Sequence, residues 1–407
     1  MSATDGHPEI RFQQLENGET LIELNLAERT VSRLYIIPLT ISIGVARVRV
    51  DGIGGVETEE EYRGRGYARR VMEAALARMG GAENTMSQDP AALSFLFGIS
   101  NYYEKFGYAR AGPWYSLHLT ELAGGEPLPA GWTVRPCTPH DLPAIHALYE
   151  RGTAQAVGAV IRHPSGRVWS TLAAEVAESS RDECRVLVDP SGTLAAYAWR
   201  GRDFWPVDTE EETPDAMVIG EAIAFGPAAA DALLAACRSW AVEESARRPS
   251  ITKAQLSLSP DSSIYAAAIR HHAKLEMMWE PSGGFMARTL HVGRLLAALV
   301  PELTRRLQAS ADPGRGVLRF STDIGEAALE IAANRVLVKH DEESAVGLDP
   351  TAVVHLSQVD LARLAFGTFP IGDFLDRLGD APDPIAGRWL EILFPQRHPY
   401  THLPDWV

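Results

Sequence analysis

The chain has 407 residues, enough for two or three domains. Its hydrophobic fraction of 46% supplies more than one core, and a formal net charge of −15 repels phosphate backbones. Nucleic acid is therefore excluded as a partner. No apolar run reaches membrane length and no signal peptide precedes the first strand, so a cytoplasmic protein with no membrane partner is expected. Cys137, Cys184 and Cys237 lie far apart without metal-ligand spacing and read as small buried hydrophobes.

In chain order, Ile10–Leu15 and Leu21–Leu26 read as strands around the hairpin signal Asn17-Gly18. Arg33–Ile37 and Ile41–Val50 follow as strands, separated by Pro38. Next comes the stretch that carries the chemistry. Gly54-Gly55-Val56-Glu57-Thr58 closes a strand, and Arg63-Gly64-Arg65-Gly66-Tyr67-Ala68-Arg69 forms a turn into a helix. Apolar residues at Ala68, Val71, Met72, Ala75, Leu76 and Met79 make one helical face. Glycines let such a turn bring backbone close to a ligand. The helix start directs N–H groups and the dipole at an anion. Arg63, Arg65 and Arg69 add charge-assisted donors, so the turn reads as a pyrophosphate cradle. Neither Gly-Lys-Ser/Thr nor Gly-x-Gly-x-x-Gly occurs here, which excludes a nucleotide P-loop and the dinucleotide fingerprint. Leu93–Ile99 reads as a buried strand, followed by the turn Tyr103-Glu-Lys-Phe-Gly-Tyr108.

Arg63-x-x-Gly66-x-Ala68 after a strand, together with the Tyr103 turn, resembles the GCN5-related N-acetyltransferases (GNAT). Within that family the chain is similar to the three-domain Eis (enhanced intracellular survival) type. The resemblance implies an α/β (α+β) architecture: two GNAT-like mixed-sheet domains and a sterol-carrier-protein-like α+β domain. The divisions are 1–123, 130–286 and 287–407. It places Val56, Glu57 and Thr58 along the pantetheine arm of acetyl-CoA, and Gly64, Arg65, Gly66, Tyr67, Ala68 and Arg69 at its pyrophosphate, with Arg63 opening the motif. Gly98 and Ile99 fall on the second, splayed strand. Tyr103 is the implied acid for the leaving thiolate, and the backbone N–H of Thr58 a donor to the thioester oxygen. The helices that usually precede these strands, and wall the acceptor site, are shortened or missing.

Gly124-Gly125-Glu126-Pro127 reads as a linker. Beyond it, Trp132–Pro136, Arg185–Val188, Thr193–Trp199 and Met217–Ala224 read as strands, and Asp141–Arg151 and Ala228–Val242 as helices. This part resembles a second acetyltransferase fold without its cofactor, because its turn is Phe225-Gly226-Pro227 and proline offers no N–H. Helix Val292–Leu307, strands Gly316–Phe320, Ala327–Ala332 and Arg335–Lys339, and helices Ser357–Phe366 and Ile385–Leu393 complete the chain. The tail, with Tyr400, Trp406 and Val407, is too apolar to be loose and is expected to dock. By the resemblance, the carboxylate of Val407 enters the first domain's site as general base. His398 and His402 lack a third ligand at suitable spacing, so no metal is expected.

The implied activity is direct acetyl transfer from acetyl-CoA to a primary amine. The acceptor is a cationic small molecule, aminoglycoside-like or polyamine-like, or a lysine side chain. The resemblance also implies a homo-oligomer, a hexamer. The alternatives are a catalytically silent acyl-CoA-binding module and a hydrophobic-ligand carrier.

Overall fold

The computed structural model describes residues 7–80, 90–99, 101–120, 122, 127–178, 182–200, 215–279, 283–311, 314–332, 334–339, 352–377 and 384–406. The chain forms two compact units. One holds residues up to 112 with 281–397, and the other holds 113–280 with 398–406.

The first unit begins with β1 (Glu9–Gln14), β2 (Thr20–Leu26), β3 (Arg29–Ile43) and β4 (Ala46–Thr58), an antiparallel run. Helix α1 (Tyr67–Gly80), β5 (Leu93–Ile99) and β6 (Ala109–Arg110) follow. Gly18 turns the first hairpin at φ 87°, as Asn17-Gly18 predicts. The strand expected at Ile41–Val50 is two strands. Gly44-Val45 turns the chain between β3 and β4, with Gly44 at φ 59°. Apolar alternation on both sides of the turn concealed it: Ile41 and Ile43 are buried, then the phase slips by one and resumes at Ala46, Val48 and Val50. Pro38 does not break β3, because pairing with β2 ends at Ile36 and no bond of that ladder is lost.

β5 pairs in parallel with β4 and antiparallel with strand Gly283–Thr289, which in turn pairs with β6. α1 buries Val71, Met72, Ala75 and Met79 against Leu24, Leu34, Ile53, Leu96 and Met286. The C-terminal part of this unit has helix Val292–Ala309 and a sheet ordered Arg335–Lys339, Gly325–Ala332, Gly316–Thr322, Ala352–Leu356. The Glu302 carboxylate of that helix accepts from the N–H of Val45 at 3.0 Å, and a Cβ on Gly44 would lie 2.2 Å from it. Helix Gln358–Phe366 is capped by Ser357 and closed by Gly367 at φ 67°. Its Gln358 donates to the carbonyl of Gly107 at 2.8 Å, holding the tyrosine turn.

The second unit has one sheet ordered Glu221–Ala224, Leu194–Trp199, Cys184–Val188, Thr133–Pro136, and another ordered Ala216–Ile219, Lys253–Ser257, Trp114–Leu119, Lys274–Met278. The single strand expected at Met217–Ala224 is thus two, broken at Gly220, with its halves in different sheets. Its uninterrupted burial made the two halves look like one run. Helix Pro227–Arg247 is buried nearly all round, with Leu233, Leu234 and Trp240 at 2% exposure or less. Helices Arg167–Ala177 and Ser263–Arg270 had not been read from the sequence. Strand Trp114–Leu119 pairs in this unit, and Gly283–Thr289 in the first. Cys137, Cys184 and Cys237 are buried and free. The expected linker residues 124–126 lie outside the described residues.

Candidate active site

β4 and β5 are paired only at Val50–Leu93, Asp51–Ser94 and Gly52–Phe95. Beyond that point β4 continues with β3, while β5 from Leu96 to Ile99 pairs with Met286 to Gly283. The register between β3 and β4 slips between Arg33 and Tyr35, opposite Gly55, whose φ is 58°. A side chain there would meet the Tyr35 ring at 2.9 Å, so glycine permits the bulge. The bulge turns β4 away from β5 and re-aims Val56, Glu57 and Thr58.

Those three residues line a cleft of about 680 Å³ with Glu23, Thr30, Ser32, Arg33, Glu59, Glu60 and Arg63. Ser32 Oγ donates to the Glu57 carbonyl at 2.9 Å and accepts from the Thr58 hydroxyl at 2.9 Å, fixing the end of β4. Arg33 holds the Glu57 carboxylate at 2.7 Å, and Arg63 Nε donates to the Thr58 carbonyl at 3.2 Å. Four carboxylates (Glu23, Glu57, Glu59, Glu60) face two guanidiniums (Arg33, Arg63), so the lining is net negative.

Past Arg63 the chain turns through Gly64 at φ 76° and Gly66 at φ 81° into α1. No atom lies within 4 Å of where a Cβ would stand at either glycine. Their requirement is backbone conformation, and the space before them is open. The first turn of α1 carries no acidic side chain. Its N–H groups, which lack intrahelical partners, and its dipole are left to an anion. Arg65 leans over the Tyr62 ring at 5.2 Å, and Arg69 pairs with Glu73 at 2.7 Å. Both guanidiniums are tethered at the turn's rim. Open space, left-handed glycines, unneutralised helix N–H groups and three arginines fit the pyrophosphate of acetyl-CoA.

At the other wall, Gly98 is where Tyr103 comes to rest. A Cβ on Gly98 would stand 2.4 Å from the Tyr103 ring. The sequence assigned both residues separately, and the fold brings them together. Ile99 is 64% exposed at the end of β5. Burial, with Tyr102 beside it, pushes the Tyr103 phenol up to about 12, so it is protonated at neutral pH. Tyr102 packs edge-on to Tyr103 at 4.9 Å, and its buried hydroxyl bonds to nothing among the described residues. Val407 lies outside the described residues.

Sequence reading missed Asp51, which sits where the strands part. Arg47, Arg49 and Asp51 share one phase of β4 and look solvent-facing in the sequence. Pairing with β5 covers that phase only at Asp51. Burial raises its carboxyl to about 6, opposed by Arg49. Beside it Ser94 donates to the Asp51 carbonyl at 2.6 Å and lies 2.6 Å from the Tyr108 hydroxyl. A carboxyl raised from 3.8 to about 6 binds its proton more tightly folded than unfolded. Its stability penalty therefore grows as pH rises through 4 to 6 and is complete above. Asp51→Asn is expected to stabilise the protein at pH 7 by up to about 3 kcal/mol, with melting temperatures converging near pH 4. Parallel melting curves across that range would show that Asp51 ionises freely.

Residues 3–111 match the model of the acetyltransferase (GNAT) domain. The chain thus carries an N-acetyltransferase domain, and acetyl-CoA is the cofactor such domains use. No curated protein sequence matches the chain. Among solved structures, a GCN5-related N-acetyltransferase from Kribbella flavida is 19% identical, with 95% of this chain and 87% of that one covered at a TM-score of 0.64. A probable N-acyltransferase from Enterococcus faecalis V583 is 15% identical, covering 96% and 89%, at 0.68. Eis1 from Mycobacterium abscessus is 16% identical, covering 95% and 90%, at 0.60. These three likenesses are of fold.

Proposed function

We propose that the first unit transfers an acetyl group from acetyl-CoA directly to a primary amine of a cationic acceptor. One observation carries this reading: β4 parts from β5 after Gly52 and runs, through a bulge, straight into the Gly64–Gly66 turn and an acid-free helix start. Bound acetyl-CoA supplies an activated acetyl thioester. Arg63, Arg65, Arg69 and the N–H groups of Gly66 to Arg69 hold its phosphates. Val56 to Thr58 on one wall, and Gly98 and Ile99 on the other, hold the arm, with the N–H of Thr58 aimed at the thioester oxygen. Tyr103 gives its phenolic proton to the leaving thiolate. By resemblance, the carboxylate of Val407 takes the amine proton. Asp51 is the second candidate base, supported by its burial and its raised carboxyl.

The acceptor reading rests on charge. A net-negative cleft attracts a protonated amine, whether aminoglycoside-like, polyamine-like or a lysine side chain. The C-terminal part is read as sterol-carrier-protein-like, yet a cavity of about 470 Å³ there is lined by Ser321, Thr322, His355, Ser357 and Asp360 beside Leu356 and Phe374. The likeness to the Eis type extends the reading to a homo-hexamer, which light scattering would check. No helix among the described residues is long and apolar enough to cross a membrane.

Assaying a panel of amines with acetyl-CoA tests the activity. Turnover of none, with acetyl-CoA still bound, would leave the silent-module reading. Calorimetry is expected to count one acetyl-CoA site per chain, since Pro227 removes a donor from the second unit's turn. Arg65→Glu should lower that affinity by about 1.5–3 kcal/mol, the scale of hydrogen bonds to charged groups. Two equal sites, or an unchanged affinity in Arg65→Glu, would refute this placement.

A further inference from the structure

Acetyl transfer as proposed uses no thiol, yet the second unit brings two of the three cysteines together. Cys137 follows Thr133–Pro136, the last strand of its sheet, and Cys184 opens the neighbouring strand Cys184–Val188. Pro136 pairs with Arg185, and the Cys137 N–H donates to the Cys184 carbonyl at 2.8 Å. The ladder therefore runs one pair further and sets the two cysteines opposite each other. Directly paired residues of an antiparallel ladder point to the same face. Where they share a hydrogen bond their Cα atoms stand about 5.5 Å apart, inside the range of about 4.4–6.8 Å that a disulfide spans. Both cysteines lie in one apolar cluster with Tyr149, Trp169 and Val186. Cys237, on helix Pro227–Arg247, belongs to a different cluster.

The two thiols are not equivalent. Burial, with the Cys137 sulfur beside it, raises the Cys184 thiol well above its ordinary range, and the Glu221 and Glu175 carboxylates act in the same direction. Cys137 is the more exposed, at 9% against 4%. The Arg135 guanidinium, fixed by Asp141 at 2.7 Å, lies close enough to interact with a charge on Cys137. A neighbouring cation favours the thiolate, which is the reactive form of cysteine. The pair also sits where an edge strand ends, and such corners open locally at low cost.

We propose that Cys137 and Cys184 are a peroxide-responsive pair, closed to a disulfide with a hydroperoxide as the oxidant. The Cys137 thiolate attacks one peroxide oxygen. An S–O bond forms, the O–O bond breaks, and the departing hydroxide takes the proton that Cys137 gave up. The Cys184 sulfur then attacks the Cys137 Sγ. The S–S bond forms, the S–O bond breaks, and hydroxide leaves with the Cys184 proton. The two thiols lose two electrons and two protons, and hydrogen peroxide is reduced to two waters. The bond closes residues 138–183 into a loop and ties the edge strand to its neighbour.

Treating the full chain with hydrogen peroxide tests the proposal. Met277 and Met278, 60% and 51% exposed, report the dose as they become sulfoxides. At the dose that oxidises them, the thiol count of the denatured protein is expected to fall from three to one. Mass spectrometry should find Cys137 and Cys184 in one linked peptide, and dithiothreitol should restore all three thiols. Cys184→Ser removes the resolving sulfur, so Cys137 should stop as a sulfenic acid and take up dimedone, which the parent does not. The parent's thiol count decides by itself if that variant does not fold. Three thiols persisting once both methionines are oxidised overturns the proposal. So does a link that includes Cys237, or separate oxidation of Cys137 and Cys184 to sulfinic acids.

Discussion

Tyr103→Phe is expected to lower turnover by roughly 10²–10⁴-fold, the range for losing a general acid, while acetyl-CoA affinity stays close to that of the parent. On the proposed mechanism the phenol acts only as the thiolate leaves, so its removal should appear in kcat and not in ground-state binding. Its surroundings suit that task. Tyr103 is 9% exposed, and burial holds its proton to about 12, so the acid form dominates at neutral pH. The adjacent Tyr102 is the control. Its hydroxyl bonds to nothing among the described residues, so Tyr102→Phe removes no bond and should leave turnover near the parent's. Gly98→Ala supplies a second check. Its Cβ would enter the Tyr103 ring at 2.4 Å, so the ring must move and turnover should fall with the phenol still present. Steady-state kinetics of the three variants, with acetyl-CoA calorimetry, decide the matter. If Tyr102→Phe is crippling and Tyr103→Phe silent, the acid is the neighbouring residue.

Extending the chain beyond Val407 by a few residues is expected to abolish turnover or reduce it severely. A terminal carboxylate has an ordinary pKa of about 3.3–3.7, so it is ionised at neutral pH and able to take a proton. Extension replaces it with a peptide bond and carries the charge away. Val407→Phe is the paired change. It alters the side chain and keeps the carboxylate, so its effect should be mild. Both changes alter the tail, and only the extension displaces the charge. A C-terminally tagged protein that acetylates amines as fast as the untagged one would move the base to Asp51. In that case Asp51→Asn should cost turnover even as it stabilises the fold, since a carboxyl placed against its own solvation serves function at the expense of stability.

The sequence by itself determined the local devices. Arg63-Gly64-Arg65-Gly66 specifies a turn that only left-handed backbone completes, and the 3.6-residue apolar spacing specifies α1. Strand Leu93–Ile99 was legible to the residue, because an apolar run of 7 residues between turn signals has the length of a strand and is too short for a buried helix. Ser357 and Gly367 bound their helix by local capping chemistry. What only the tertiary structure decided are features set by partners distant in sequence. The hairpin at Gly44 is held by Glu302, a residue of a remote helix. The break at Gly220 exists because its two halves pair with different strands, Leu194–Trp199 and Lys253–Ser257. Asp51 is removed from water by pairing with Ser94, though its phase along β4 reads as exposed. Cys137 and Cys184 face each other across a ladder, and no spacing joins them. Turn geometry and helix periodicity are properties of a few consecutive residues. Desolvation and charge pairing depend on which segments meet, and that is fixed only when the chain has folded.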